Sequence, residues 1–209
     1  LQGFHLVKNG GDPDSIHRAV TLFENAITLD PLSAEAHAGL ANALTTLFGF
    51  GFASYQEVFP RVSSELEKAL TLDPNYPWAH IARGDVLAPT DPRGALEAYR
   101  RAFELDPENP MVLYDYGYWL DVFEPGPEGE RLLRRAVEVD PLAQQPRCGL
   151  MGRLYVKRRF AEAEAEARRI LDLDPNWFWA WDQLWRIHLR EGKLAEAQEE
   201  SRRSWATVF

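Results

Sequence analysis

Small and bulky apolar residues recur along the chain at spacings of four and then three, ahead of a proline. In the clearest copy, Ala95, Tyr99 and Ala102 precede Pro107. Residues three and four apart lie on one face of a helix, so each copy predicts a helix that buries one stripe against a neighbour. Proline biases the residue before it away from helical geometry, so each helix is predicted to end just ahead of its proline.

That proline closes a Leu-Asp-Pro or Val-Asp-Pro tripeptide. The five copies end at Pro31, Pro74, Pro107, Pro141 and Pro175, which are separated by 43, 33, 34 and 34 residues. A second apolar helix precedes each of these helices, and Gly- or Pro-containing turns separate the two. A period near 34 residues indicates stacked helix pairs and not a single globular core. Six units are predicted, at about residues 1–31, 32–74, 75–107, 108–141, 142–175 and 176–209.

The pattern Ala-x3-Phe/Tyr-x2-Ala-x4-Pro, with Trp, Leu, Gly or Tyr on the preceding helix, resembles the tetratricopeptide repeat (TPR). The resemblance covers essentially the whole chain. It implies one all-α domain, a right-handed superhelical α-solenoid of about six antiparallel helix pairs.

A narrower resemblance concerns Leu1–Asn9, His37–Asn42 and Leu154–Ala163. These stretches are similar to TPR regions that lie C-terminal to nucleotide cyclases and winged-helix regulators in bacteria. The similarity implies the sensing or assembly arm of a larger bacterial regulator. Because the chain begins at Leu1 and not at Met, we expect a fragment or a processed product.

The amino-acid composition limits the kinds of partner that the chain is expected to bind. The net charge of −9 disfavours nucleic-acid binding, which needs clustered cations. No apolar run is long enough to cross a membrane, so no membrane partner is expected. The single cysteine, Cys148, excludes an internal disulfide. The compartment stays open, with the cytoplasm favoured.

The sequence has none of the motifs that carry common enzyme chemistry. It lacks a phosphate-binding glycine loop with lysine, a Gly-x-Ser-x-Gly elbow and a His-Glu-x-x-His pair. The five histidines are spread over four of the units and are interpreted as packing residues. We therefore predict no enzyme, no catalytic residue, no cofactor and no metal.

The resemblance implies that the first helix of each pair lines a concave groove. The groove candidates are Asn42, Trp78, Asp85, Tyr114, Asp115, Tyr118 and Asp121. Aromatic rings beside carboxylates suit a protein or peptide partner of basic or aromatic character. Packing of these rings against the next helix is an equally weighted alternative. A lysine/asparagine clamp for a terminal carboxylate is not predicted, because Ala38 stands where lysine is needed.

The second unit is nine residues longer than a 34-residue repeat. The excess falls around Leu47–Pro60, which contains two glycines, and predicts a lengthened hairpin loop. Five aromatic residues lie in it: Phe48, Phe50, Phe52, Tyr55 and Phe59. They either pack on their own helix pair or form a docking patch for a partner.

The last unit is crowded with tryptophan and ends without an obvious polar cap. A rival hypothesis is therefore a structural protein that forms a homo-oligomer or a head-to-tail polymer through its ends. The residues that would mediate it are Leu1, Phe4, Trp185, Trp205 and Phe209. This hypothesis requires that the N-terminal apolar residues are not covered by their own second helix.

Overall fold

The computed structural model describes residues 2–9, 13–49 and 51–206 of the chain. Its helices are α1 Gln2–Asn9, α2 Pro13–Leu29, α3 Ala34–Gly49, α4 Tyr55–Leu72, α5 Pro77–Leu87, α6 Pro92–Leu105, α7 Pro110–Phe123, α8 Pro127–Val139, α9 Gln144–Val156, α10 Phe160–Leu173, α11 Phe178–Glu191 and α12 Leu194–Ala206. No strand occurs among the described residues. Each predicted unit contains one pair of helices, which confirms the all-α fold of consecutive helix pairs. None of the described helices combines the length and the apolarity that a membrane span requires.

The chain forms two compact units, Leu1–Tyr116 and Gly117–Phe209, and the boundary lies within α7. In the first unit, the leading helices α1, α3 and α5 pack on one another in order, and each also packs on its own second helix. In the second unit, α9 and α11 pack on each other in the same way. In the first unit, α1, α3 and α5 therefore form a continuous layer.

The Asp-Pro tripeptides end the second helices as predicted. The helices stop at Leu29, Leu72, Leu105, Val139 and Leu173, one residue before each aspartate. The Asp73 side chain accepts a hydrogen bond from the backbone N–H two residues on, at 2.9 Å, and Asp30, Asp140 and Asp174 do the same. This turn satisfies a backbone donor after the helix end, which explains why aspartate precedes the proline.

A second recurring contact was not predicted. The side chain six residues after the proline donates a hydrogen bond to that proline's carbonyl oxygen. The four pairs are His37–Pro31 at 2.9 Å, His80–Pro74 at 2.8 Å, Arg147–Pro141 at 3.0 Å and Trp181–Pro175 at 2.8 Å. The slot after Pro107 holds the buried apolar Leu113 instead. Because three different donor types fill this slot, a search for one residue type cannot find it.

Bulky rings fill the space that small residues leave. A Cβ added to Gly84 would lie 2.4 Å from the ring of Tyr99, which is fully buried. Phe23 meets Gly3 and Gly39 in the same manner. The glycines therefore allow the helices to approach closely around one ring, as the spacing predicted.

The prediction of a lengthened loop in the second unit is wrong. The extra residues extend α3 and α4 to 16 and 18 residues, and only residues 50–54 separate the two helices. Phe48 lies edge-on to Phe59 at 5.2 Å, and Tyr55 stacks on Phe59 at 4.0 Å. Longer helices bring these rings together, which a loose loop would not. Phe50 lies outside the described residues.

Candidate functional site

The groove candidates of the first unit lie on three leading helices. Asn42 belongs to α3, Trp78 and Asp85 to α5, and Tyr114 and Asp115 to the start of α7. All five residues are partly exposed. Trp78 packs against Phe4 of α1, with the ring centroids 5.3 Å apart, so for Trp78 the packing alternative applies.

Asp85 and Asp115 are the chemically unusual members of this set. The Tyr99 hydroxyl of α6 donates a hydrogen bond to Asp85 Oδ1 at 2.7 Å. Burial raises the pKa of Asp85 to about 6, although the tyrosine bond opposes this shift. Burial, and then repulsion from Asp85, raises the pKa of Asp115 well above its usual range. The two groups are therefore close enough to influence each other's ionisation.

No described side chain supplies a cation to either carboxyl group. Asp85 has its tyrosine partner, and neither Asp85 nor Asp115 takes part in an ion pair with a described residue. Burial also raises the pKa of Tyr99, and the nearby carboxylates add to this effect. Tyr99 consequently remains a neutral hydrogen-bond donor.

The two remaining groove candidates belong to the second unit. The ring of Tyr118 is partly exposed and lies 5.9 Å from the guanidinium carbon of Arg153. Asp121 does not face a groove: it is 0% exposed. It accepts hydrogen bonds from Arg153 Nε at 2.7 Å and Lys157 Nζ at 2.6 Å, both from the α9 side. This carboxylate is neutralised within the protein, so its assignment to a ligand site is corrected.

Two of the candidates for self-association, Phe4 and Trp185, are engaged inside the chain. Phe4 lies edge-on to Phe23 at 4.9 Å. The Trp185 indole donates a hydrogen bond to Asp182 at 3.0 Å, and Arg186 covers its ring. Trp205 is 62% exposed. Leu1 and Phe209 lie outside the described residues.

One group of possible metal ligands was not predicted from the sequence. Single ligand atoms of Glu164, His188 and Glu191 lie within 4.8 Å of one another. However, Arg168 binds Glu164 and Lys193 binds Glu191. The Nδ1 atom of His188 contacts Glu200 at 2.7 Å. Each side chain thus already has a partner within the protein, and we assign the group a role in packing α10, α11 and α12.

Solved structures with a similar fold include a TPR protein. YrrB, described as a TPR protein with an unusual peptide-binding site, matches 88% of this chain and 91% of its own, with 20% identity and a TM-score of 0.55. PilW, a type IV pilus biogenesis factor, matches 81% of this chain and 78% of its own, with 21% identity and a TM-score of 0.66. These likenesses show that the chain has the fold of consecutive helix pairs found in TPR proteins, as the sequence predicted.

A third likeness is to one part of a longer protein. The human IFIT1 dimer with m7Gppp-AAAA has a TM-score of 0.81 and 18% identity over 97% of this chain. The match covers 48% of the IFIT1 chain, about half its length. No family model matches the sequence, and no curated protein matches it. At these identities the likenesses establish the fold alone.

Proposed function

We propose that this chain is a non-catalytic scaffold for protein interactions, and that its first unit binds an extended basic segment of a partner protein. The observation that carries the proposal is the carboxyl pair Asp85 and Asp115, which has no cation among the described side chains. The leading-helix layer around the pair and the peptide-binding site described for YrrB support it.

The chemistry of the pair favours a lysine or arginine side chain as ligand. An incoming cation lowers the cost of ionising both acids, because opposite charge stabilises the carboxylates that burial and mutual repulsion destabilise. The bond from Tyr99 holds Asp85 in one orientation. An incoming cation therefore meets an acceptor whose position is already fixed.

The test compares labelled peptides of alternating Lys and Ser, and of alternating Gln and Ser, by fluorescence anisotropy. We expect the Lys/Ser peptide to bind more tightly, and Asp85→Asn with Asp115→Asn to weaken it about tenfold or more, as for a charge-assisted contact. Glu97→Gln is the matched control, because Glu97 is an exposed acid on α6 of the same unit. Binding should also weaken as the pH falls through about 6, where Asp85 takes up a proton. Equal affinity for the double variant and the wild type would exclude this groove as the binding site.

We further propose that the scaffold serves as the sensing or assembly arm of a larger bacterial regulator. The similarity of Leu1–Asn9, His37–Asn42 and Leu154–Ala163 to TPR regions beside signalling domains supports this context. Reading the coding sequence on both sides of this segment tests it. A neighbouring cyclase or winged-helix domain is the expected result, and flanks without any signalling domain would contradict it.

Head-to-tail self-assembly remains a second candidate, and the exposed Trp205 favours it. The packing of Phe4 on Phe23 and Trp78 counts against it, because this part of α1 is already covered. Light scattering over a wide concentration range distinguishes the two. A mass that rises with concentration in the wild type, and stays constant in Trp205→Ser, would support assembly; a constant mass in both would exclude it.

A further inference from the structure

The second unit carries a surface of opposite character to the carboxyl pair. We define the α9–α11 face by Gly152 and Tyr155 of α9 and Arg186 and Arg190 of α11. Residues three and four apart share a side of a helix, so each pair projects together. The two helices pack on each other, and a direct contact between Tyr155 and Arg190 joins the two pairs.

Arg190 is the central residue of this face. Its Nε donates a hydrogen bond to the Tyr155 hydroxyl at 2.7 Å, and its guanidinium carbon lies 5.7 Å from the centre of that ring. Among the described residues, no acceptor binds its two terminal nitrogens. The side chain is exposed, so these nitrogens face solvent. The tyrosine thus holds one edge of the guanidinium and leaves the other edge open.

The neighbouring arginines differ from Arg190 in this respect. Arg186 binds Asp182 through Nε at 2.8 Å, and Arg153 binds the buried Asp121. Their charges are compensated by carboxylates of the chain itself. The charge of Arg190 has no carboxylate partner among the described residues, although carboxylates are in excess in this protein.

Gly152 leaves room on α9, one helical turn before Tyr155. A Cβ added to Gly152 would meet no atom within 4 Å, so open space lies above this part of α9. An extended backbone can approach the helix there more closely than a larger residue would allow. The face therefore combines an open position with the tyrosine that anchors Arg190.

We propose that the α9–α11 face binds an acidic, extended segment of a partner protein, with a glutamate or aspartate carboxylate paired end-on to the two terminal nitrogens of Arg190. The bidentate geometry of a guanidinium matches a carboxylate. Because Tyr155 already orients the side chain, little rotational freedom is lost on binding. The proposal involves residues different from the carboxyl pair of the first unit and does not depend on that site.

Protein, and not nucleic acid, fits this face better. Binding along a phosphate backbone requires several uncompensated cations. Here Arg153, Lys157 and Arg186 are already paired with aspartates. One open guanidinium suits one carboxylate.

The test measures binding of a labelled peptide of alternating Glu and Ser to the whole 209-residue chain, with a Gln/Ser peptide and a poly(A) RNA oligonucleotide for comparison. We expect the wild type to prefer the Glu/Ser peptide about tenfold over the Gln/Ser peptide. Arg190→Gln should abolish this preference. Tyr155→Phe should weaken binding of the Glu/Ser peptide by a smaller factor, because the ring remains but the anchoring bond is lost. Gly152→Glu should block the face by both size and charge.

Arg202→Gln is the matched control, since Arg202 is an exposed arginine on α12 that pairs with Glu199. If Arg190→Gln and Arg202→Gln lose equal affinity for the Glu/Ser peptide, the effect comes from overall charge alone. That result would overturn the proposal. The absence of a preference for the Glu/Ser peptide would overturn it as well. Tighter binding of the RNA, lost in Arg190→Gln, would replace it with a nucleic-acid site. The Lys/Ser peptide serves as the readout of the first unit, and its affinity should not fall in Arg190→Gln.

Discussion

Asp85 and Glu130 show how the surroundings of a carboxyl group decide its charge. Burial raises the pKa of Asp85 to about 6. Burial opposes the ionisation of Glu130 too, but hydrogen bonds from Arg159, Arg134 and Lys157 outweigh it and lower its pKa to about 2. The difference lies in the presence or absence of cations within hydrogen-bond distance.

The raised pKa of Asp85 predicts a gain in stability when its charge is removed. Between its usual pKa of 3.8 and about 6, the folded state holds a proton that the unfolded chain has lost, so stability falls as the pH rises through this window. Asp85→Asn keeps an acceptor for Tyr99 and loses the charge. We expect the variant to be more stable by on the order of 2 kcal/mol near pH 7, and no more stable than the wild type near pH 3.

Urea denaturation at both pH values measures this difference. Glu97→Gln is again the control and should change the free energy of unfolding little at either pH, since Glu97 is exposed. A loss of stability in Asp85→Asn near pH 7 would mean that a group other than Tyr99 stabilises the ionised carboxylate.

Asp121 illustrates the limit of prediction for single residues. The helical spacing places Asp85 and Asp121 on comparable faces of their leading helices. Asp121 is nevertheless buried, because Arg153 and Lys157 come from a helix more than 30 residues later in the chain. Which charges meet depends on the register between helices, and a helical period says nothing about that register.

At the scale of elements, the hydrogen bond to the proline carbonyl ties four leading helices, α3, α5, α9 and α11, to the turn before them. In the fourth unit the corresponding position holds Leu113, so His80→Leu is a suitable test. The variant keeps a side chain of useful size but leaves the Pro74 carbonyl without its donor. We expect a loss of about 1 kcal/mol in the free energy of unfolding. His17→Leu removes a bond of the same kind, from His17 to the Pro13 carbonyl at 2.7 Å, but at an exposed position where water can replace it, so it should cost less.

Thermal and urea denaturation of both histidine variants measures the loss in the free energy of unfolding. Equal effects of His80→Leu and His17→Leu would show that the buried bond to Pro74 contributes no more stability than the exposed bond to Pro13. The prediction concerns stability only, and the helical circular-dichroism spectrum of both variants should remain that of the wild type.

Two glycines in leading helices should respond to alanine in opposite directions. In Gly84→Ala, the new methyl group meets the ring of the buried Tyr99, whose hydroxyl is held by Asp85. We expect a loss of about 1–3 kcal/mol, since overpacking exceeds the gain in helix propensity. In Gly152→Ala the methyl group meets nothing, so a stability equal to or about 1 kcal/mol above the wild type is expected.

The melting temperatures of the two glycine variants test this pair directly. Similar shifts for both would indicate that the helices around Tyr99 can move apart without cost. Gly84→Ala should also disturb the bond between Tyr99 and Asp85, so a changed tyrosine near-ultraviolet signal is expected for this variant alone.

The second helix pair shows that a local signal can be present and overlooked. The Glu57 carboxylate accepts hydrogen bonds from the Ser54 backbone N–H and hydroxyl, at 2.7 and 2.6 Å. This Ser-x-x-Glu pattern begins a helix at Tyr55 and is readable from the sequence. If this pattern is given more weight than the two glycines, the sequence predicts the longer helix α4. The glycines instead fall at or next to the short connection.

At the scale of the whole molecule, the two units differ in what stabilises them. The first unit contains one continuous apolar core with residues from α2 to α5. In the second unit, Glu130 of α8 binds Arg134, Lys157 and Arg159, and Glu162 of α10 joins the same cluster. Partly exposed ion pairs of this kind are weakened by salt, whereas apolar burial is not.

Added salt should therefore destabilise the helices of the second unit more than those of the first. At about 1 M NaCl, where screening acts over about 3 Å, we expect amide-exchange protection in α8 and α10 to fall about fivefold, while α2 and α3 change little. Hydrogen-exchange mass spectrometry resolves these helices. In Glu130→Gln the salt effect on α8 and α10 should shrink. An equal loss of protection in α2 and α3 would contradict the assignment.

The sequence alone determined the helix pairs and the points where their second helices end. These features are local: an apolar period decides which side of a helix is buried, and Asp-Pro ends the helix within two residues. The tertiary structure decided which charged side chains find partners. Asp121 is neutralised, whereas Asp85 and Arg190 are not, because ion pairing depends on the positions of residues from other helices. The candidate binding sites follow from those unpaired charges, and only the packed helices reveal them.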